Sequence, residues 1–257
     1  MVTVARLKRL LLALSEPALR IGWLEEQLEL WSVSEAATLL HGLCEESERS
    51  DPEAREALLS VVMLLAQRGD DALVQALREE AAGRRLLSLD RLVRAGPAPV
   101  VVERPATELP VPDYGVGREL TLGERRSLAR RPNRRAFDRL LSDPHPLVIR
   151  QLLQNPKLTE ADVLRLVTRR PARLEVLREV VQYPRWLTRS RVRLSILLNP
   201  GSPPAIAIPM LSVCKRTELV EVLRGTDVSN VLRATALELL ERRPPLAVVD
   251  QADAVLQ

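Results

Sequence analysis

Apolar residues in positions 1–95 recur at the i, i+3, i+4 spacing of one helix face. Val4, Leu7, Leu10, Leu11 and Leu14 form the first stripe. Ile21, Leu24, Leu28 and Trp31 form the second, behind Pro17, which suits a helix start. Ala37, Leu40, Leu43 and Cys44 follow, with Ser34 as the expected cap. Asp51-Pro52 opens a fourth helix whose stripe is Ala57, Leu58, Val61, Val62 and Leu65 and whose end lies near Gly69. Asp70 and Asp71 start a fifth, stopped by Gly83, and Leu86, Leu89 and Leu92 mark a sixth that runs to Gly96. The pattern predicts an N-terminal helical bundle over residues 1–96.

Residues 97–117 break the pattern. Pro97, Pro99, Pro105, Pro110 and Pro112, with Gly115 and Gly117, favour extended chain over helix. This stretch reads as a linker, or as a strap along a neighbouring surface with Tyr114 as its pin. As a linker it would let the two halves separate on limited proteolysis.

Residues 118–257 repeat a helix-terminal motif. Arg126-Ser-Leu128 precedes Arg131-Pro132; Arg150-Gln-Leu152 precedes Asn155-Pro156; Arg165-Leu-Val167 precedes Arg170-Pro171; Arg178-Glu-Val180 precedes Tyr183-Pro184. A fifth copy, Leu194 to Asn199-Pro200, lacks the arginine. Each proline stops a helix, because it has no N–H and disfavours helical geometry in the residue before it. Thr121 with Glu124, and Thr159 with Asp162, fit capping boxes at the starts. Such short units bury their apolar faces only by stacking, which predicts a short α-solenoid. Gly201-Ser202-Pro203-Pro204 and Pro209 break the register and predict an irregular C-terminal cap. The expected fold class is therefore all-α. A low aromatic share of 2% and a dominance of Leu, Ala, Arg and Glu agree with it.

The motif resembles the bacterial leucine-rich-repeat-variant and HEAT-like helical repeats, in which an Asn-Pro turn follows an apolar helix. The resemblance covers about 118–200. Asn155-Pro156 and Asn199-Pro200 match the turn, whereas Arg131, Arg170 and Tyr183 replace its asparagine. It implies a scaffold, or in some HEAT-like proteins a DNA-holding basic face. The iron–sulfur module of some leucine-rich-variant proteins needs a cysteine cluster, and this chain has only Cys44 and Cys214.

Charge changes the picture more than composition does. Residues 1–117 carry 13 basic and 19 acidic side chains, and residues 118–257 carry 25 and 15. Within 118–193 the balance is 19 to 8. The basic half is expected to attract an acidic partner: a protein surface or peptide first, nucleic acid as the alternative. Basic residues are nearly all Arg, which fits either a GC-rich genome or a use for forked guanidinium contacts.

Catalytic signals are missing. His41 and His145 lack neighbouring ligands at metal-site spacing. There is no G-x-S-x-G elbow, Walker A or EF-hand loop, and Gly115-Val116-Gly117 is too short for a dinucleotide loop. A non-enzymatic protein without cofactor or metal is expected. No apolar run approaches the roughly 20 residues of a membrane span, and Leu10–Leu14 is short for a signal-peptide core. These features, with two unclustered cysteines, predict a cytoplasmic location.

One pattern has binding potential. Arg126, Arg150, Arg165 and Arg178 recur six residues before each proline and would line up in a stack. The favoured reading is a structural role at helix C-termini, where cations complement the dipole. Tyr183, Arg185, Trp186 and Arg189 combine aromatics and arginines as interface hot spots do, although Trp186 is also a candidate core anchor.

Overall fold

The computed structural model describes residues 2–97, 105–170 and 173–243. Those residues form sixteen α-helices and no strand, so the chain is all-α. None of the described helices is long and apolar enough to cross a membrane.

The first six helices are α1 (Val4–Ala13), α2 (Pro17–Leu30), α3 (Val33–Glu48), α4 (Pro52–Arg68), α5 (Ala72–Gly83) and α6 (Leu87–Val93). Local chemistry sets their ends. Asp51 accepts the N–H groups of Glu53 and Ala54, with Pro52 in the first turn, where a missing N–H costs nothing. Asp71 accepts from Val74. Gly69 ends α4 at φ +68°, a conformation that side chains with a Cβ avoid. The cap of α3 is Ser32, not Ser34: Ser32 and Glu35 form a reciprocal capping box. Ser34 lies inside the helix, and its hydroxyl accepts from Arg84. Helix α4 is the bundle's centre, packing on α1, α2 and α3 and burying ten of its residues, including every apolar position of the expected stripe.

The second half begins with α7 (Leu122–Arg130), α8 (Phe137–Leu141), α9 (Pro146–Leu153) and α10 (Glu160–Val167). It continues with α11 (Leu174–Val181), the single-turn α12 (Pro184–Leu187) and α13 (Ser190–Leu197). Both expected capping boxes, Thr121/Glu124 and Thr159/Asp162, are present. The helices stack in two rows, α7 on α9 on α11, and α8 on α10 on α13.

Buried asparagines join successive members of a row. Asn155 Nδ2 donates to the carbonyls of Ala129 (2.7 Å) and Arg131 (2.9 Å) at the end of α7. Asn199 Nδ2 donates to Val167 (2.6 Å) and Arg169 (3.1 Å) at the end of α10. Each side-chain oxygen then accepts the N–H two residues on, from Lys157 or Gly201. One asparagine thus closes its own turn and satisfies orphan carbonyls of the helix one step back in its row. Tyr183 stands where the next asparagine would be and does related work: its hydroxyl donates to Arg150 O (3.2 Å), while the nearby Trp186 Nε1 donates to Leu153 O (3.1 Å), both on α9. We expect Asn199→Ala to destabilise the chain by about 1–3 kcal/mol, the cost of leaving buried polar groups unpaired. Urea unfolding of the variant beside the parent measures it.

The last third departs from the sequence expectation. Where an irregular cap was expected, three regular helices stand: α14 (Pro204–Leu211), α15 (Arg216–Arg224) and α16 (Asn230–Arg242). Helix α14 is apolar on all sides, as suits a helix buried on all sides. Pro204, Ile206, Ala207, Ile208, Pro209, Met210 and Leu211 are all buried. It packs on α4 and α6 of the first half and on α13 and α16 of the second. Pro209 removes one backbone donor within it, and the surrounding packing holds the helix nonetheless. Arg94, just after α6, adds a forked pair to Glu238 of α16 (2.8 and 3.0 Å). The two halves therefore share one apolar core, and the expectation that they come apart as independent fragments does not fit this packing.

The stretch 105–117 is described and lies along the second half as a strap. Tyr114 is buried, and its hydroxyl donates to Asp143 Oδ2 at 2.6 Å. Asp143 also holds Arg125 of α7 through both its oxygens (2.8 Å each) and accepts the His145 N–H (2.9 Å). Burial, then the neighbouring carboxylate, pushes the Tyr114 phenol well above its ordinary pKa, so it stays a donor. The rest of the expected linker, residues 98–104, lies outside the described residues.

Candidate functional site

The arginines at equivalent motif positions do not form one free ladder. Arg126, Arg150 and Arg178 belong to the row α7, α9, α11. Arg165 belongs to α10, in the other row, where it pairs with Asp138 of α8 at 2.6 Å. Arg150 forks onto Glu179 of α11 (2.8 and 2.7 Å), a carboxylate whose side chain is only 9% exposed. Arg126 is half-buried with its Nε unpaired, and Arg178 is exposed and holds no carboxylate among the described residues. The structure thus assigns Arg150 and Arg165 to ties between successive helices and leaves Arg178 facing water.

The Tyr183–Arg189 segment divides likewise. Trp186 is 2% exposed and anchors α12 in the core. Arg185 lies over its ring at 4.5 Å and donates to Leu158 O. Tyr183 is half-buried between Gln154 and Arg150. Arg189 is exposed beside α13.

Pairing within a row continues at Arg134, just before α8, which forks onto Asp162 of α10. Burial alone would raise the Asp162 pKa, but hydrogen bonds from Arg134 and Thr159 outweigh it and hold the carboxyl below its ordinary value. A depressed folded-state pKa contributes stability above the unfolded value of about 3.9 and loses it as pH falls through the folded value. The stability gap between the parent and Asp162→Asn is therefore expected at pH 7 and should close as the pH falls below about 4. Urea midpoints at several pH values check this.

A tally of partners separates structural charge from available charge. Of the eight acidic residues in 118–193, six are engaged: Glu124 by Arg118, Asp138 by Arg165, Asp143 by Arg125, Asp162 by Arg134, Glu175 by Arg173 and Glu179 by Arg150. Arg170 reaches Asp227 beyond that span. Twelve of the nineteen basic side chains hold no carboxylate among the described residues.

Three of the twelve meet at the outer end of the stack. Arg131, Arg135 and Arg139 line a groove of ≈ 410 Å³ with Leu120, Leu128 and Val116. Arg139 donates to Tyr114 O, which ties this edge to the strap. The groove's one carboxylate, Glu124, is gripped by Arg118 at 3.0 and 2.5 Å, and that contact pulls its pKa down to about 2. Sequence reasoning took Arg131 only as a replacement for asparagine and missed this group. The spacing of four between Arg131, Arg135 and Arg139 was the signal available.

Chemistry elsewhere is sparse. Among the described residues no three His, Cys, Asp or Glu side chains gather as a metal site. His41 lies 3.8 Å from Glu45. His145 Nδ1 accepts the Leu147 N–H as the cap of α9, and burial, with Arg125 nearby, lowers its pKa and favours the neutral ring that can accept. Cys44 and Cys214 are free and buried, and burial pushes the Cys214 thiol up to about 12, which keeps it unreactive at neutral pH. Comparison with protein-family models, curated proteins and solved structures finds no match to this chain.

Proposed function

We propose that this chain is a non-catalytic helical-repeat scaffold that binds an acidic polypeptide segment through its unpaired basic charges. The observation that carries this reading is the excess of twelve basic side chains in 118–193 without a carboxylate, three of them around an apolar-floored groove. Acidic side chains would pair with Arg131, Arg135 and Arg139 while apolar ones cover Leu120 and Leu128. The stacked rows and their Asn-Pro turns support kinship with leucine-rich-variant or HEAT-like repeats, whose extended surfaces suit such binding. The buried thiols suit a reducing cytoplasmic setting.

Nucleic acid is the less favoured partner because base binding relies on exposed stacking surfaces. In the second half Phe137 and Trp186 are buried and Tyr183 is engaged. The test is fluorescence anisotropy of the full chain with a labelled Glu-rich peptide containing leucines, beside single- and double-stranded oligonucleotides. Salt-sensitive binding of the peptide in preference to both oligonucleotides supports the proposal. Binding of the oligonucleotides alone sinks it.

A further inference from the structure

A second basic cluster, sharing no residue with the groove, lies where the two halves meet. A cavity of ≈ 180 Å³ opens between α4, α13 and the start of α15. Arg55, Arg193 and Lys215 line it, with Ser190, Glu56 and Glu218. Both carboxylates are engaged: Glu56 accepts from Arg20 at 2.7 Å, and Glu218 accepts the Lys215 backbone N–H at 2.6 Å.

The arginines are short of partners. Arg193 is 9% exposed and donates to one protein acceptor, Leu187 O. The Arg55 side chain makes no ion pair or hydrogen bond among the described residues, and its Nε is sealed from water. Arg243, 3% exposed, gives Nη2 to Ser212 O (2.8 Å) but leaves Nε and Nη1 without acceptors. Its pKa is pulled down to about 10, first by burial and then by the charge of Arg55. A guanidinium has five N–H donors and no easy neutral form. Glu56 and Glu218 offset part of this charge, but burying several guanidiniums close together with donors left unused is costly.

We propose that this cavity binds a small tetrahedral dianion, phosphate or a phosphomonoester, gripped by Arg55 and Arg193 with Lys215 at the mouth. Forked guanidinium donors match phosphate oxygens, and a lysine adds a point charge. The volume falls below the roughly 300–1,000 Å³ of sites for larger organic ligands, so it suits a phosphate group and little more. The bound anion would bridge α4 of the first half to α13 and α15 of the second and stabilise the joint between them. This inference does not depend on the acidic-polypeptide reading.

The experiment is thermal unfolding of the full chain, titrated with inorganic phosphate and separately with O-phosphoserine, against sodium chloride at matched ionic strength. A saturating rise in Tm with either phosphate compound, absent with chloride, is expected. A rise with inorganic phosphate alone identifies a free-ion site, and a larger rise with phosphoserine identifies a phosphomonoester site. In Arg55→Gln the rise should vanish, and without phosphate this variant should melt no earlier than the parent, since an uncompensated charge is gone. Lys215→Gln, at an exposed position, should weaken the response. A Tm response no greater than with chloride, or one unchanged in both variants, overturns the proposal.

Discussion

A fragment beginning at residue 105 is expected to lose the cooperative fold of the whole chain. Helix α14 sits between α4 and α6 on one side and α13 and α16 on the other. Removing the first half strips α14 of its contacts with α4 and α6, and its Ile206, Ile208, Met210 and Leu211 are all at most 3% exposed. Each such side chain contributes about 1.5–3 kcal/mol when fully buried. Exposing even half of that set removes much of the ~5–15 kcal/mol that holds a domain together. Circular dichroism of the fragment should show reduced helicity and a broad thermal transition, whereas the full chain should melt in one step. A fragment that melts sharply near the parent's Tm would show that the second half stands alone.

Asp143→Ala is the substitution with the largest expected cost. The Asp143 side chain has no exposure, and Arg125, its partner, has 8%. Truncation leaves the Arg125 guanidinium buried without its anion and frees Tyr114 and the His145 N–H at the same time. Breaking a buried pair by removing one member costs about 3–5 kcal/mol. The strap should also lose its pin, so trypsin should cut at Arg118 faster in the variant. Urea unfolding and a proteolysis time course check the two effects. Tyr114→Phe keeps the ion pair and should cost only about 0.5–1.5 kcal/mol, the net worth of one hydrogen bond.

Features set by neighbouring residues were legible in the sequence. Asp51, Asp71, Thr121 and Thr159 cap the helices they were expected to cap, because an N-cap acts over three residues. Prolines 132, 156 and 200 follow helix ends, and Pro184 both follows α11 and opens α12. Tyr114 was recognisable as a pin, but its acceptor was not, since Asp143 lies 29 residues away. Helix α14 was misread because Pro204 and Pro209 signal a break locally, whereas burial on every side overrides that signal. The arginine pattern was visible but ambiguous. Only the fold shows that Glu179 and Asp138, each more than 25 residues from its partner, neutralise Arg150 and Arg165 and leave Arg178 free.

That division between engaged and available arginines makes the binding proposal testable at single positions. Reversing Arg150 sets a glutamate against Glu179 and should lower the Tm, so Arg150 is a poor probe of binding. Arg131, Arg135 and Arg178 are exposed and hold no carboxylate among the described residues. Their reversal should shift stability by only about 0.5 kcal/mol each or less. Exposed ion pairs contribute about 0.2–1 kcal/mol apiece, so losing three amounts to about 0.6–3 kcal/mol, roughly 3- to 150-fold in affinity. The decisive measurement is the anisotropy titration of the Glu-rich peptide against Arg131→Glu/Arg135→Glu/Arg178→Glu in the full chain, with the Tm recorded alongside. The account predicts a loss of affinity of about threefold or more at a nearly unchanged Tm. Peptide affinity equal to the parent's in a folded triple variant would contradict it.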